Sequence, residues 1–271
     1  MSPDSRFPIT QPHPTSYPDV NTVLRDFRES IETILGNQFL GMYVSGSLAL
    51  GDFAVERSDI DFVVMIDSDL TDDRFSSLQA MHARFNAGDS PWATEVEAAY
   101  IPRDALRRHD PARARHPHVQ RGPSNVLEMD QLGSDWVIQR HILREHGIVV
   151  AGPALRLLID LVRADDMRRA VIDLMGEWWG PMRYDPGPLQ RRGYQAYTVQ
   201  TMCRILYTLE FDDVVSKPVA ARWARTMVES RWSELIERAL AWQKDHQDTL
   251  DGDADQTLDL IRYTLERCGR R

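Results

Sequence analysis

Residues 43–64 read YVSGSLALGDFAVERSDIDFVV. An apolar run stops at Gly46-Ser47, a loop of small and polar residues follows with a second glycine at Gly51, and the apolar run resumes behind Ser58, Asp59 and Asp61. Residues 60–66, apolar but for Asp61, predict a strand covered on both faces. Strand side chains alternate between faces, so Asp59 and Asp61 project to one side, ~7 Å apart along the backbone. Two carboxylates held that close repel each other unless a cation lies between them. Magnesium suits the pair, because it takes one or two carboxylates and keeps its other positions for waters and phosphate oxygens. The Gly46-Ser47 turn supplies the complementary chemistry. Glycine lets the backbone approach a phosphate, the following N–H groups can face an anion, and the serine hydroxyl is a further donor. Gly-Ser alone is an ordinary turn, and Asp-x-Asp alone a weak signal. Together, in this order and ahead of an apolar strand, they point to a metal–nucleotide site.

Outward from this stretch, residues 39–45 read as a strand. Residues 20–36 read as a helix, with Leu24, Phe27, Ile31, Ile34 and Leu35 on one face and Gly36 as its stop. A helix over 72–85 and a strand over 93–101 follow. That last strand contains TEVEAAYIP, whose Glu95 and Glu97 share a face. Either could supply the third carboxylate that two-metal group transfer uses to complete the metal shell or to take a proton. The segment 102–124, PRDALRRHDPARARHPHVQRGPS, predicts a long loop or an excursion from the sheet. Its His109, His116 and His118 lack tetrahedral metal spacing and read as solvated.

A helix over 134–146 and a short strand over 148–150 complete the first part. Helical segments then follow at 165–178, 189–210, 217–228, 231–246 and 257–267. The pattern predicts an α+β unit with a small mixed sheet, followed by an all-helical unit, with boundaries at 19–155 and 156–271. Trp178, Trp179, Tyr184 and Asp185 interrupt the helices, and their aromatic rings suit packing better than stacking on a sugar.

With 271 residues and 42% apolar content, the chain can bury one large core or two ordinary ones. Five prolines in residues 1–18 predict a flexible or loosely docked arm. That segment lacks the apolar core of a secretory signal, and the longest apolar run, 62–66, falls far short of the ~20 residues that cross a bilayer. A soluble, cytoplasmic monomer is expected. Cys203 and Cys268 read as free thiols. A net charge of −9 argues against a general nucleic-acid binder.

The residues Gly46, Ser47, Gly51, Ser58, Asp59 and Asp61 resemble the signature of the nucleotidyltransferase superfamily in its polymerase β-like form. That resemblance implies transfer of a nucleoside monophosphate from a triphosphate to a hydroxyl, with two Mg2+ ions held by Asp59, Asp61 and a third acid. The third acid is Glu97, because Glu97-x-x-Tyr100-Ile101-Pro102 resembles the segment that carries it in relatives; Glu95 is its rival. Two further stretches, DWVIQRHILREHGIVVAGP at 135–153 and CRILYTLEFDDVVSKPVAARWA at 203–224, resemble the aminoglycoside adenylyltransferases that modify streptomycin and spectinomycin. The implied substrates are ATP and a small hydroxyl acceptor. Gly46, Ser47, Ser58, Arg204 and Lys217 are the implied nucleotide contacts. Where the streptomycin enzymes place an acidic drug contact, this chain has Tyr194, with Arg191 and Arg192 nearby. The resemblance therefore speaks to the reaction and leaves the acceptor open. A relative acting on a protein or RNA, or one that only binds nucleotide, is the alternative.

Overall fold

The computed structural model describes residues 13–122, 126–242 and 253–269. Most of the arm expected at 1–18 lies outside the described residues. Of the remainder, Thr15 Oγ1 donates to Asn21 Oδ1 at 2.9 Å, and Tyr17 packs on Phe53 with ring centroids 4.8 Å apart. The chain divides between Leu161 and Val162 into two compact units.

The first unit opens with α1 (Pro18–Leu35), where Pro18 occupies the first turn, a position that has no intrahelical partner for an N–H. β1 (Phe39–Val44), the single turn α2 (Gly46–Ala49), β2 (Ile60–Ile66), α3 (Asp72–Asn86) and β3 (Val96–Pro102) follow. Next come the short α4 (Arg103–Arg107), β4 (Arg115–Val119), β5 (Leu127–Gln131), α5 (Asp135–His146), β6 (Ile148–Ala151) and the one-turn α6 (Leu155–Leu158). The six strands form one mixed sheet in the order β5-β4-β3-β2-β1-β6. Only the central β2/β3 pair is parallel.

The alternation of side chains along β2 and β3 builds two cores. On one face Phe62, Val64, Ala98 and Tyr100 pack with Leu24, Phe27 and Ile31 of α1 and Leu78 and Met81 of α3. On the other, Val63, Met65, Ala99 and Ile101 pack with Leu106 of α4 and Trp136 and Leu143 of α5. Both faces of the central strands are covered, as the apolar run of residues 62–66 requires. Asp61 and Glu97 lie on this second face, at the N-terminal ends of their strands, before the apolar side chains begin.

The segment expected as a long loop or an excursion from the sheet at 102–124 instead contains α4 and β4, and β4 joins the sheet, pairing with β5 along its whole length. Pro117 has no N–H for a ladder, yet it is accommodated because β4 meets β3 only through His118 and Val119.

In the second unit α7 (Ala164–Leu174) continues into a wider π turn at Met175–Trp179. α8 (Arg192–Phe211) is the central helix, packed against by α7, α9 (Lys217–Met227), α10 (Ser233–Trp242) and α11 (Ala254–Gly269). The stripe of Val199, Met202, Cys203, Leu206 and Leu209 is buried throughout. Gln195 crosses from α8: its amide donates to Leu189 O at 2.7 Å, and its carbonyl accepts from Asp253 N at 2.9 Å. α8 ends on Asp212 in the left-handed region, where Arg168 of α7 pairs with its carboxylate at 2.6 Å. Among the described residues no helix is long and apolar enough to cross a membrane. Cys203 and Cys268 are both free and buried.

Candidate active site

The chain turns sharply where β1 ends. Ser45 N donates to Asp61 O at 3.0 Å, extending the β1/β2 ladder to the point where α2 begins. Gly46 adopts a positive φ of 60°, and any β-carbon there would collide with the Asp61 carboxylate. The glycine is therefore required twice, by its backbone and by the side chain it faces. The one-turn helix behind it leaves Ser47 Oγ buried with no hydrogen-bond partner. A buried hydroxyl without a partner is a donor in want of an acceptor.

Asp61 of β2 lies beside Glu97 of β3 in the parallel register, and Asp59 precedes it by two residues on the same face. Asp59, Asp61 and Glu97 each place a carboxylate oxygen within 4.8 Å of the other two. Three acidic oxygens in that space, all partly open to solvent, match the hard oxygen donor set that Mg2+ prefers. With the unpartnered Ser47 hydroxyl, the residues present fit a metal and an anionic ligand together.

Glu95 does not join this cluster. It falls just before β3, where its Oε1 accepts from Thr94 Oγ1 at 3.3 Å. Ser58 closes the turn leading into the acids, its hydroxyl accepting from Ala54 N at 3.0 Å. Gly51 holds the intervening loop with a φ of 71°.

Four residues at the site had no assigned role in the sequence reading. Arg121 places Nη1 3.3 Å from Asp59 and 3.9 Å from Glu95, on a loop tied down by Gly122 N donating to Thr94 O at 2.8 Å. His118, expected to be solvated, is instead only 12% exposed and lies between Glu97 and Asp130. Burial alone would lower its pKa, but the hydrogen bonds and charges of those two carboxylates outweigh it and raise it above the ordinary histidine value. His116, also expected to be solvated, is buried as well. Asp135, at the first residue of α5, has its carboxyl raised by the protein packed around it, with the Glu97 charge adding to the shift; part of its surface remains exposed. RHPHV and LEMDQ, which place His118 and Asp130, carry proline, histidine and acids where strands favour β-branched residues, so their strand character is masked in the sequence.

The other two implied nucleotide contacts belong to the helical unit. Arg204 lies in the middle of α8, and Lys217 is the first residue of α9, where Ser216 caps the helix by accepting from Val219 N. The Lys217 ammonium lies 4.2 Å from the Tyr197 ring centroid, and Tyr194 sits 5.8 Å from that same ring. Trp179 is a core residue at 1% exposure, whereas Trp178 and Tyr184 are exposed at 60% and 84%.

Residues 157–267 match the family model described as the aminoglycoside adenylyltransferase C-terminal domain. An aminoglycoside (3'') (9) adenylyltransferase of Shigella flexneri is 24% identical over 252 residues, covering 90% of this chain and 93% of the relative. One from Escherichia coli is 24% identical over 253 residues with the same coverage. Among solved structures, a spectinomycin adenyltransferase AAD(9) from Enterococcus faecialis, with ATP and spectinomycin, superposes with a TM-score of 0.70. It is 18% identical, and the match covers 91% of this chain and 98% of that one. That likeness establishes the fold: a mixed-sheet unit followed by a helical one.

Proposed function

We infer, for a chain whose residues 157–267 match the model of the aminoglycoside adenylyltransferase C-terminal domain, that it transfers AMP from ATP to a hydroxyl of an aminocyclitol or aminoglycoside antibiotic, releasing pyrophosphate. The observation that carries the reading is the convergence of Asp59, Asp61 and Glu97 beside a glycine that only a bare backbone can occupy. Asp59 and Asp61 would hold Mg2+, with Glu97 completing the set. When bound, Mg2+ supplies charge neutralisation on the triphosphate and on the departing pyrophosphate.

The chain's own residues do the rest. The Gly46 backbone lets a phosphate come close to the strand ends, and Ser47 donates its unpartnered hydroxyl to it. Arg204 and Lys217 contribute cationic charge to the triphosphate, and the ring of Tyr197 restricts where the Lys217 ammonium can go. Glu97 accepts the proton of the attacking hydroxyl, so that a neutral alcohol attacks as an incipient alkoxide. The oxygen–phosphorus bond forms at the α-phosphorus as the bond to pyrophosphate breaks, which requires the acceptor oxygen and the leaving oxygen to lie in line.

Pyrophosphate release with Mg-ATP, measured against streptomycin, spectinomycin, other aminoglycosides, lincosamides and simple polyols, tests this reading. Release stimulated by at least one aminocyclitol is expected. Release with none of them would overturn the antibiotic as acceptor.

A further inference from the structure

The acid cluster does not end at Glu97. In the β3/β4 register Ala99 stands opposite His118, which makes Glu97, two residues earlier, the diagonal neighbour of His118 on the same sheet face. In the β4/β5 register His118 stands opposite Glu128, so Asp130 is its diagonal neighbour on the other side. Asp61, Glu97, His118 and Asp130 thus form a row across four adjacent strands. His118 Nε2 lies 3.5 Å from Glu97 Oε1, and His118 Nδ1 lies 3.2 Å from Asp130 Oδ2.

The far end of the row is fixed. Gln120 Nε2 donates to Asp130 Oδ2 at 2.9 Å, and Gln131 N donates to Asp130 Oδ1 at 2.8 Å. An anchored carboxylate holds one nitrogen of a planar, largely buried ring, and the ring's other nitrogen is thereby aimed at Glu97. Glu97 needs such a partner. It has three rotatable bonds, it is more exposed than His118, and its neighbours Asp61 and Asp59 repel it.

We propose that His118, anchored by Asp130, is a positioning residue that holds the Glu97 carboxylate toward Asp59 and Asp61. The proposal rests on the adenylyl-transfer reading for its kinetic consequence. Its structural content is independent of that reading: the ring orders the third acid of the cation site. A residue that merely stapled the β4/β5 hairpin would affect stability and would be rescued by the variant that keeps the contact with Asp130, not by the one that faces Glu97.

Substitution separates the two roles. An asparagine amide takes the place of Nδ1 and faces Asp130, whereas a glutamine amide takes the place of Nε2 and faces Glu97. His118→Ala and His118→Asn are expected to lower kcat about tenfold, with KM for ATP within about twofold of wild type, and His118→Gln to recover most of the loss. Asp130→Asn, at a partly exposed position that tolerates the change, is expected to lower kcat in the same direction by less. Mn2+ binding in the absence of nucleotide, followed by electron paramagnetic resonance, supplies a readout that does not depend on turnover. Affinity is expected to fall several-fold in His118→Ala and His118→Asn and to stay near wild type in His118→Gln. Wild-type kcat and Mn2+ affinity in His118→Ala would overturn the proposal. So would losses in the Gln variant that equal or exceed those in the Asn variant and track a fall in melting temperature. If the wild type releases no pyrophosphate with any acceptor, the transfer reading fails, and the Mn2+ arm still decides the role of His118.

Discussion

At the scale of single residues, the site is built from contacts that substitution can address one at a time. Gly46→Ala meets both a positive φ and the Asp61 carboxylate. It is expected to cost about 1–3 kcal/mol of stability and to reduce adenylyl transfer below detection, read by chemical denaturation and a turnover assay. Ser47→Ala should act in opposite senses on the two states. The ATP-free protein loses only a buried hydroxyl that has no partner, so its melting temperature should hold or rise. KM for ATP should increase roughly tenfold, the worth of a hydrogen bond to a charged oxygen. A fall in melting temperature with unchanged KM would place the hydroxyl's partner elsewhere. Gly46, Ser47, Asp59 and Asp61 were legible in the sequence because their geometry is local: one turn, one strand entry and the alternation of a pleat. Glu97 was preferred to Glu95 only through a resemblance, since both share a strand face; the β2/β3 register is what sets Glu97 beside Asp61. His118 and Asp130 needed two further strand registers, and no spacing along the chain encodes those.

At the scale of elements, the helices α1, α3, α5, α7, α8, α9, α10 and α11 were legible from apolar periodicity and their stop signals, with ends shifted by a few residues; the end expected for α10 at 243–246 lies outside the described residues. The strands β1, β2 and β3 were legible from their apolar runs. β4 and β5 were not, since RHPHV and LEMDQ carry proline, histidine and acids where strands favour β-branched residues. Pairing with each other and burial of Val119 and Leu127 override that local preference. The packing of α3 on β3 carries its own pH signature. His82 is buried against Phe27, and its Nε2 lies 2.7 Å from the Tyr100 hydroxyl. Burial pushes its pKa down to about 3 from an ordinary 6.5. The unfolded chain therefore binds a proton between those values that the folded chain does not, and stability contributed above pH 6.5 drains away as pH falls toward 3. Acid unfolding followed by circular dichroism should be less steep between pH 6.5 and 4 in His82→Gln, which keeps a partner for Tyr100 without the titration. An identical profile would mean that this ring does not govern acid sensitivity.

At the scale of the whole molecule, an α+β unit followed by a helical unit was legible because the chain changes from alternating strands and helices to helices alone. The two cysteines report on the second unit. Burial pushes the Cys203 thiol up to about 12 and Cys268 up to about 11, so neither supplies thiolate near neutral pH. Ellman's reagent at pH 8 is expected to label no thiol in the native protein over minutes and two thiols in denaturant; prompt native labelling would contradict the packing of α8 and α11. The proposed reaction is transfer of the α-phosphoryl with its nucleoside, and isotopic labelling follows that group. The protein is incubated with Mg2+, an acceptor from the stimulating class, and ATP radiolabelled at either the α- or the γ-phosphate, with Asp61→Asn as the control. The account predicts that the α-label moves to the acceptor and the γ-label leaves as pyrophosphate. It also predicts that Asp61→Asn, folded as judged by circular dichroism, loses at least about a hundredfold in rate. Appearance of the γ-label on the acceptor, or wild-type transfer by Asp61→Asn, would contradict it.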